Sequence, residues 1–289
     1  MMLGTHRRLI GFIGVSLMLV IGPEAYSRET LLWVAEYKPN VANRILLDEE
    51  LRGWLHKDLN WPIETVYANT QRAMRMVQEQ DNVCVDDKLI TSERQQFAHI
   101  TDLPQVVVPG KRLYMRADSD YAAQLGAENS HVGFQSLMAS FPELRLGVMA
   151  GRRYGNQLDE ILQREKRQAR IWRRASSYSS EELLQMLVKG RIDATIEYPM
   201  VVANWGENNG DLISFRLKEA KDYSLGYIMC SRSPSGEVII GRVNQWLAEH
   251  TQSRRYLELH LKWMEASIHK DFIEDYNQVF NTEFKLSEP

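Results

Sequence analysis

From residue 31 onward, short apolar runs alternate with stretches whose apolar residues recur every three or four positions. The runs read as strands and the stretches as amphipathic helices. Leu31–Glu36, Ile63–Tyr67, Asn82–Val85, Val106–Val108 and Arg112–Arg116 give a first set of strands, with helices predicted over Ile45–Leu55 and Ala73–Glu79. Ala122–Leu125 and Gly133–Met138 then flank a loop. A second set of strands follows at Leu144–Met149, Ala169–Arg173, Ile192–Ile196, Leu212–Arg216 and Leu225–Cys230. Asn156 is placed to cap a helix carrying Leu158, Ile161 and Leu162. Ser179 and Glu182 have capping-box spacing ahead of a helix with Leu183, Leu184, Leu187 and Val188, which Gly190 stops. The C-terminal part is helical over Val238–His250, Tyr256–Met264 and Ile268–Phe280.

Strands alternating with helices predict an α/β protein of mainly parallel sheets with helices on both faces. Two such series without a flexible linker predict two lobes joined by crossing strands. No GxGxxG or P-loop follows any strand, so the pattern offers no nucleotide site.

The N-terminus has a different pattern. Met1–Arg8 carries Arg7 and Arg8, Leu9–Gly22 is an uninterrupted apolar stretch, and Ala25-Tyr26-Ser27 puts small residues at −3 and −1 of a cut before Arg28. These are the three parts of a secretory signal peptide over residues 1–27. The apolar stretch is shorter than the roughly 20 residues of a spanning helix. A cleaved leader and a periplasmic mature protein are expected.

Composition narrows the options. The chain of 289 residues is 44% hydrophobic and 25% charged, an ordinary globular balance. A net charge of −3 gives no sequence-wide pull on nucleic acid. Two cysteines, Cys84 and Cys230, fit either one disulfide in an exported protein or two buried thiols. The seven histidines show no metal-ligand spacing and there is no GxSxG elbow, so no metal, cofactor or nucleophile is expected.

In open α/β sheets ligands lie beyond the carboxyl ends of strands. Glu36 and Tyr37 follow the first strand. Arg94 follows the third, in the first turn of a helix that Thr91 or Ser92 caps. A cation there opposes the helix dipole, which points to an anion nearby. The Gly151–Gly155 turn, with Arg152, Arg153 and Tyr154, leads into a helix N-terminus. Glu197 and Tyr198 follow Ile192–Ile196. Each position also fits an ordinary solvated turn, and Asp193 fits a structural pairing.

Four segments carry a family resemblance. Leu89–Arg94 (LITSER) is similar to an "IT-x-x-R" element. Leu146–Gly151 (LGVMAG) is similar to a "vGv-x-x-G" turn. Leu187–Ala194 (LVKGRIDA) is similar to "L-x-x-GrvDa", the most specific of the four. Tyr227–Leu247 with Tyr256–Trp263 is similar to a closing strand, helix and "kW" end. Together they resemble the type 2 periplasmic solute-binding proteins, in the branch called bacterial extracellular solute-binding protein family 3, over nearly the whole mature chain.

The resemblance implies two lobes, residues 28–116 plus 222–289 and residues 117–221, with a small polar solute in the cleft between them. It places a clamp for the ligand α-carboxylate on Arg94, turn donors near Gly151–Tyr154, and an amine-binding carboxylate on Glu197. Arg94 or Arg153 is expected to hold an anionic group and Glu36 or Glu197 a cationic one, with Tyr37, Tyr154 and Tyr198 lining the cleft. A monomer that presents its solute to an ABC permease or a membrane sensor follows from the same likeness. Asp86-Asp87-Lys88 replace the family's serine and threonine donors, the second-lobe turn is Arg-Arg-Tyr, and no aromatic follows Pro104. The competing readings are a lyase or dehydratase using Glu36 or Glu197 as general acid, and a ligand-free module that binds a membrane sensor.

Overall fold

The structure is a computed structural model that describes residues 30–36, 47–165, 170–175, 181–205, 210–264 and 266–286. The leader, Tyr37 and Ser179 lie outside the described residues. Among the described residues no helix is long and apolar enough to cross a membrane.

In chain order, the first half holds β1 (Leu31–Ala35), α1 (Leu47–Leu59), β2 (Ile63–Tyr67), α2 (Thr70–Glu79), β3 (Val83–Lys88), α3 (Ser92–Phe97), β4 (Ala98–Ile100) and β5 (Val106–Pro109). Then come β6 (Arg112–Arg116), α4 (Asp120–Leu125), β7 (His131–Val132), α5 (Phe134–Ser140), β8 (Leu146–Met149), α6 (Asn156–Arg164) and β9 (Ile171–Arg174). The rest is α7 (Glu181–Val188), β10 (Ala194–Glu197), α8 (Pro199–Ala203), β11 (Leu212–Leu217), β12 (Tyr223–Ser231), α9 (Pro234–His250), α10 (Arg254–Leu261) and α11 (His269–Phe280).

Local chemistry explains several boundaries. Asn69 caps α2 by accepting from Arg72 N at 2.9 Å, so this helix starts earlier than its apolar pattern shows. Thr91 caps α3 through Arg94 N, one of the two expected caps. Asn156 is not a cap: α6 begins on Gly155, whose φ of 112° only glycine adopts without strain. Gly190, at φ 64°, turns the chain after α7 as expected.

Two six-stranded sheets result. In the first the order is β2-β1-β3-β12-β4, with β5 also on β12. In the second it is β7-β11-β6-β10-β8-β9. Both are mixed. β1, β2 and β3 run parallel, as do β8, β9 and β10, but β12 and β6 pair antiparallel with all their neighbours. β6 is a strand of the second sheet, so the chain leaves the first sheet after Pro109, ahead of the expected boundary at 116. The return crossing runs from β11 to β12. The two crossings lie side by side, with Gly110 N donating to Asp222 O at 2.6 Å. A Cβ on Gly110 would sit 2.0 Å from Lys221 O, so glycine is required for this approach.

Each sheet is covered on both faces. In the first, one face packs Trp33, Leu51, Ile239, Tyr256 and Tyr276, and the other packs Val34, Ala73, Val77 and Met229. In the second, Phe134, Leu158 and Phe215 lie on one side and Leu183, Leu184 and Val202 on the other. Cys84 and Cys230 face each other in the β3–β12 register and form a disulfide, which resolves the two cysteine readings.

Candidate functional site

Strand ends from both sheets, together with the crossings, bring a set of charged side chains together. On the first-lobe side, Glu36 Oε1 lies 3.1 Å from Lys88 Nζ. Burial works to raise the Glu36 pKa, but Lys88 and Arg152 outweigh it and hold the carboxyl below its usual range. Lys88 also donates to Asp86 O at 2.6 Å. The Asp86 carboxylate turns into the lobe, accepting from Trp33 Nε1 at 3.0 Å and Arg52 Nη1 at 2.7 Å.

Arg94 is only 4% exposed. Its Nη1 donates to Leu89 O at 2.8 Å, and among the described residues it makes no ion pair. Burial lowers its pKa, opposed by the fields of Glu36 and of Asp159 from the other lobe. A buried charge without a counter-ion costs several kcal/mol.

On the second-lobe side, the turn after β8 meets α2 of the first lobe. Gly151 has φ 79°, and a Cβ there would lie 2.6 Å from Gln71 Cγ. Arg152 Nη1 donates to Glu197 Oε2 at 2.7 Å, and Glu197 Oε1 accepts from Tyr198 N at 2.9 Å. Glu197 is 1% exposed, with both oxygens used. Arg153 pairs with Glu93 across the lobes. It also borders an open cavity of about 530 Å³ whose other walls, Asp159, Glu160, Gln163 and Arg164, come from α6.

Tyr154 does not line the cleft. Its ring is in the second-lobe core, its hydroxyl accepts from Met149 N at 2.7 Å, and burial pushes its pKa up to about 12. Tyr198 lies half-buried, with the Lys111 ammonium 4.2 Å from its ring centroid. A cation–π contact of this kind contributes about 0.5–2 kcal/mol, less than the several kcal/mol that desolvating an ammonium costs. Lys111 is 4% exposed. Burial, reinforced by Arg152, pushes its pKa down to about 8 against the pull of Glu197, Asp87 and Asp159.

Of the residues picked from sequence, Glu36, Arg94, Gly151, Arg153, Glu197 and Tyr198 meet at this junction, and Tyr37 lies outside the described residues. Glu197 is held by Arg152 and is not an open carboxylate. Lys88, Glu93, Lys111 and Asp159 were not picked. Lys111 had one signal, a cation directly after Pro109-Gly110 between two strands. Among the described residues no group of three or more His, Cys, Asp or Glu is placed to hold a metal ion.

No protein-family model matches the chain, and no curated protein matches it at the sequence level. Solved structures do match. A mutant of ArgBP from T. maritima has a TM-score of 0.62 at 18% identity, over 82% of this chain and 96% of that one. The ancestral amino acid-binding protein AncCDT-1, a precursor of cyclohexadienyl dehydratase, gives 0.60 at 20% identity, over 82% and 96%. A Salmonella typhimurium periplasmic binding protein of high arginine specificity gives 0.57 at 16% identity, over 82% and 99%. The chain therefore has the two-lobed fold of the amino-acid-binding periplasmic proteins.

Proposed function

We propose that the chain is an exported solute-binding protein that grips a small carboxylate-bearing solute between its lobes. The solute-loaded form is then read by a membrane partner, an ABC permease or a sensor. The observation that carries this reading is Arg94, a buried guanidinium without an ion pair among the described residues, positioned where charges of both lobes act on it. The likeness to amino-acid-binding proteins supports it. The crossings at Gly110 and Asp222 serve as the hinge on which the lobes close, the usual motion for binding around a ligand. A binding role fits better than a catalytic one, because Glu36 and Glu197, the candidate general acids, are each fixed by a cation of the chain.

Calorimetry with amino acids, polyamines and small carboxylates tests the reading. Arg94→Ala is expected to weaken binding of a carboxylate solute by about 2–4 kcal/mol, without loss of thermal stability, since it removes an unpaired buried charge. Unchanged affinity in this variant would overturn the assignment.

A further inference from the structure

We propose that the outer edge of β9 is a docking strand, and that its occupant is an extended acidic segment of a partner protein, which pairs with it and adds to the second sheet. The backbone shows which groups are on offer. β9 ends the order of that sheet and pairs only with β8 among the described residues. Arg170 O accepts from Leu146 N at 2.9 Å, and Arg174 O accepts from Ala150 N at 2.8 Å. In a parallel ladder alternate residues turn their backbone groups to the neighbouring strand. The N–H and C=O groups of Ile171 and Arg173 therefore point away from β8. An edge of this kind is a template for another chain.

The side chains define the strand that fits. Ile171 packs into the core beneath α6. Arg173 follows it on that face, with Nη2 donating to Leu162 O at 2.9 Å. It makes no ion pair among the described residues. Trp172 and Arg174 lie on the other face, where Arg174 pairs with Glu182 of α7. Trp172 is 52% exposed, although it is the largest side chain of the strand. Charge on an edge is a common guard against self-pairing. Arg173 acts so here, because a second copy would set arginine against arginine, and like charges directly opposite oppose pairing. An open indole does the reverse, offering apolar area that a partner would cover. The residues from Arg164 to Arg174 hold six Lys and Arg against one acid, in a chain of net charge −3. The complementary strand thus carries acids on the α6 face, opposite Arg173, and apolar side chains on the α7 face, opposite Trp172.

Fluorescence anisotropy with a labelled, end-blocked peptide, Thr-Glu-Val-Glu-Val-Glu-Thr, tests this on the whole protein. Saturable binding is expected, weakened about tenfold in Trp172→Ser and in Arg173→Glu. The same peptide N-methylated at its three central residues keeps its charge and side chains but loses backbone donors, and it should not bind. Both substituted side chains are exposed, and a thermal melt checks that each variant is folded. Equal binding of the N-methylated peptide overturns the proposal, since charge alone would then explain the contact. So does unchanged affinity in either variant, or no binding of the plain peptide. Capture by vesicles of equal parts phosphatidylglycerol and phosphatidylcholine, without peptide binding and lost in Trp172→Ser, would give the edge to a lipid surface instead. A dimer in sedimentation that Trp172→Ser dissolves would give it to a second copy.

Discussion

His260 shows how a single buried residue sets a limit on the fold. It is 0% exposed, with Nδ1 2.9 Å from Tyr256 O and Nε2 accepting from Val107 N at 3.3 Å. A carbonyl accepts and an amide donates, so the ring is neutral with its proton on Nδ1. Burial, opposed by the Tyr256 carbonyl, pushes its pKa down to about 4. Burial does the same to His56, edge-on to Trp33, down to about 4. Below pH 6.5 the unfolded chain therefore binds protons that the folded state does not. Stability is lost as pH falls from about 6.5 towards 4, by roughly 3 kcal/mol for His260 at full linkage. Urea titrations at pH 7 and 4.5 should show this drop. His260→Gln, which can supply one donor and one acceptor, should lose less over that interval; an equal loss would rule out this residue as a cause. Arg94 stood out in the sequence as a cation opposing a helix dipole, but the helix that forms has six residues and Arg94 falls in its last turn. His260 did not stand out, since a histidine on a helical face is ambiguous until Val107 arrives from 153 positions away.

At the scale of elements, strand positions were legible because apolar runs of four to six residues rarely form anything else between turn signals. Ile63–Tyr67 and Arg112–Arg116 are found as expected. Pairing was less legible. Nothing in the β6 pattern says which sheet it joins, because β5 and β6 are separated only by Gly110 and Lys111 and both are buried. The same reason hid the burial of Lys111. β12 is the element that closes the first sheet, contacting β3, β4 and β5 at once. The Cys84–Cys230 bridge ties β12 to β3 across 146 positions. A loop of that length loses much freedom when closed, so the bridge is expected to add roughly 3–5 kcal/mol. The double variant Cys84→Ala and Cys230→Ala should lower the unfolding free energy by that amount in urea, and reducing agent should bring the parent towards the same value. A double variant as stable as the oxidised parent would show that β12 docks without the crosslink.

At the scale of the molecule, the lobes also touch outside the crossings, where Tyr198 and Met200 pack against the first-lobe core. Gly151 abuts Gln71, and Arg153 pairs with Glu93, whose side chain is 64% exposed. An ion pair so open to water is worth about 0–1 kcal/mol and is screened by salt. It therefore cannot hold the lobes together; it can only bias closure by a factor of about five. The buried guanidinium of Arg94, without an ion pair among the described residues, carries larger stakes in the proposed binding. Closure in this protein should thus be driven by the solute, with the surface pair as a trim. Glu93→Gln tests this division. It should raise the dissociation rate of a bound carboxylate by no more than about fivefold at low salt, with little effect on the association rate, and the difference from the parent should vanish at about 0.5 M salt as the Debye length contracts. Stopped-flow dissociation at both salt concentrations reads this directly. A loss far beyond fivefold, or one that survives high salt, would move the closing energy from the buried site to the lobe surface.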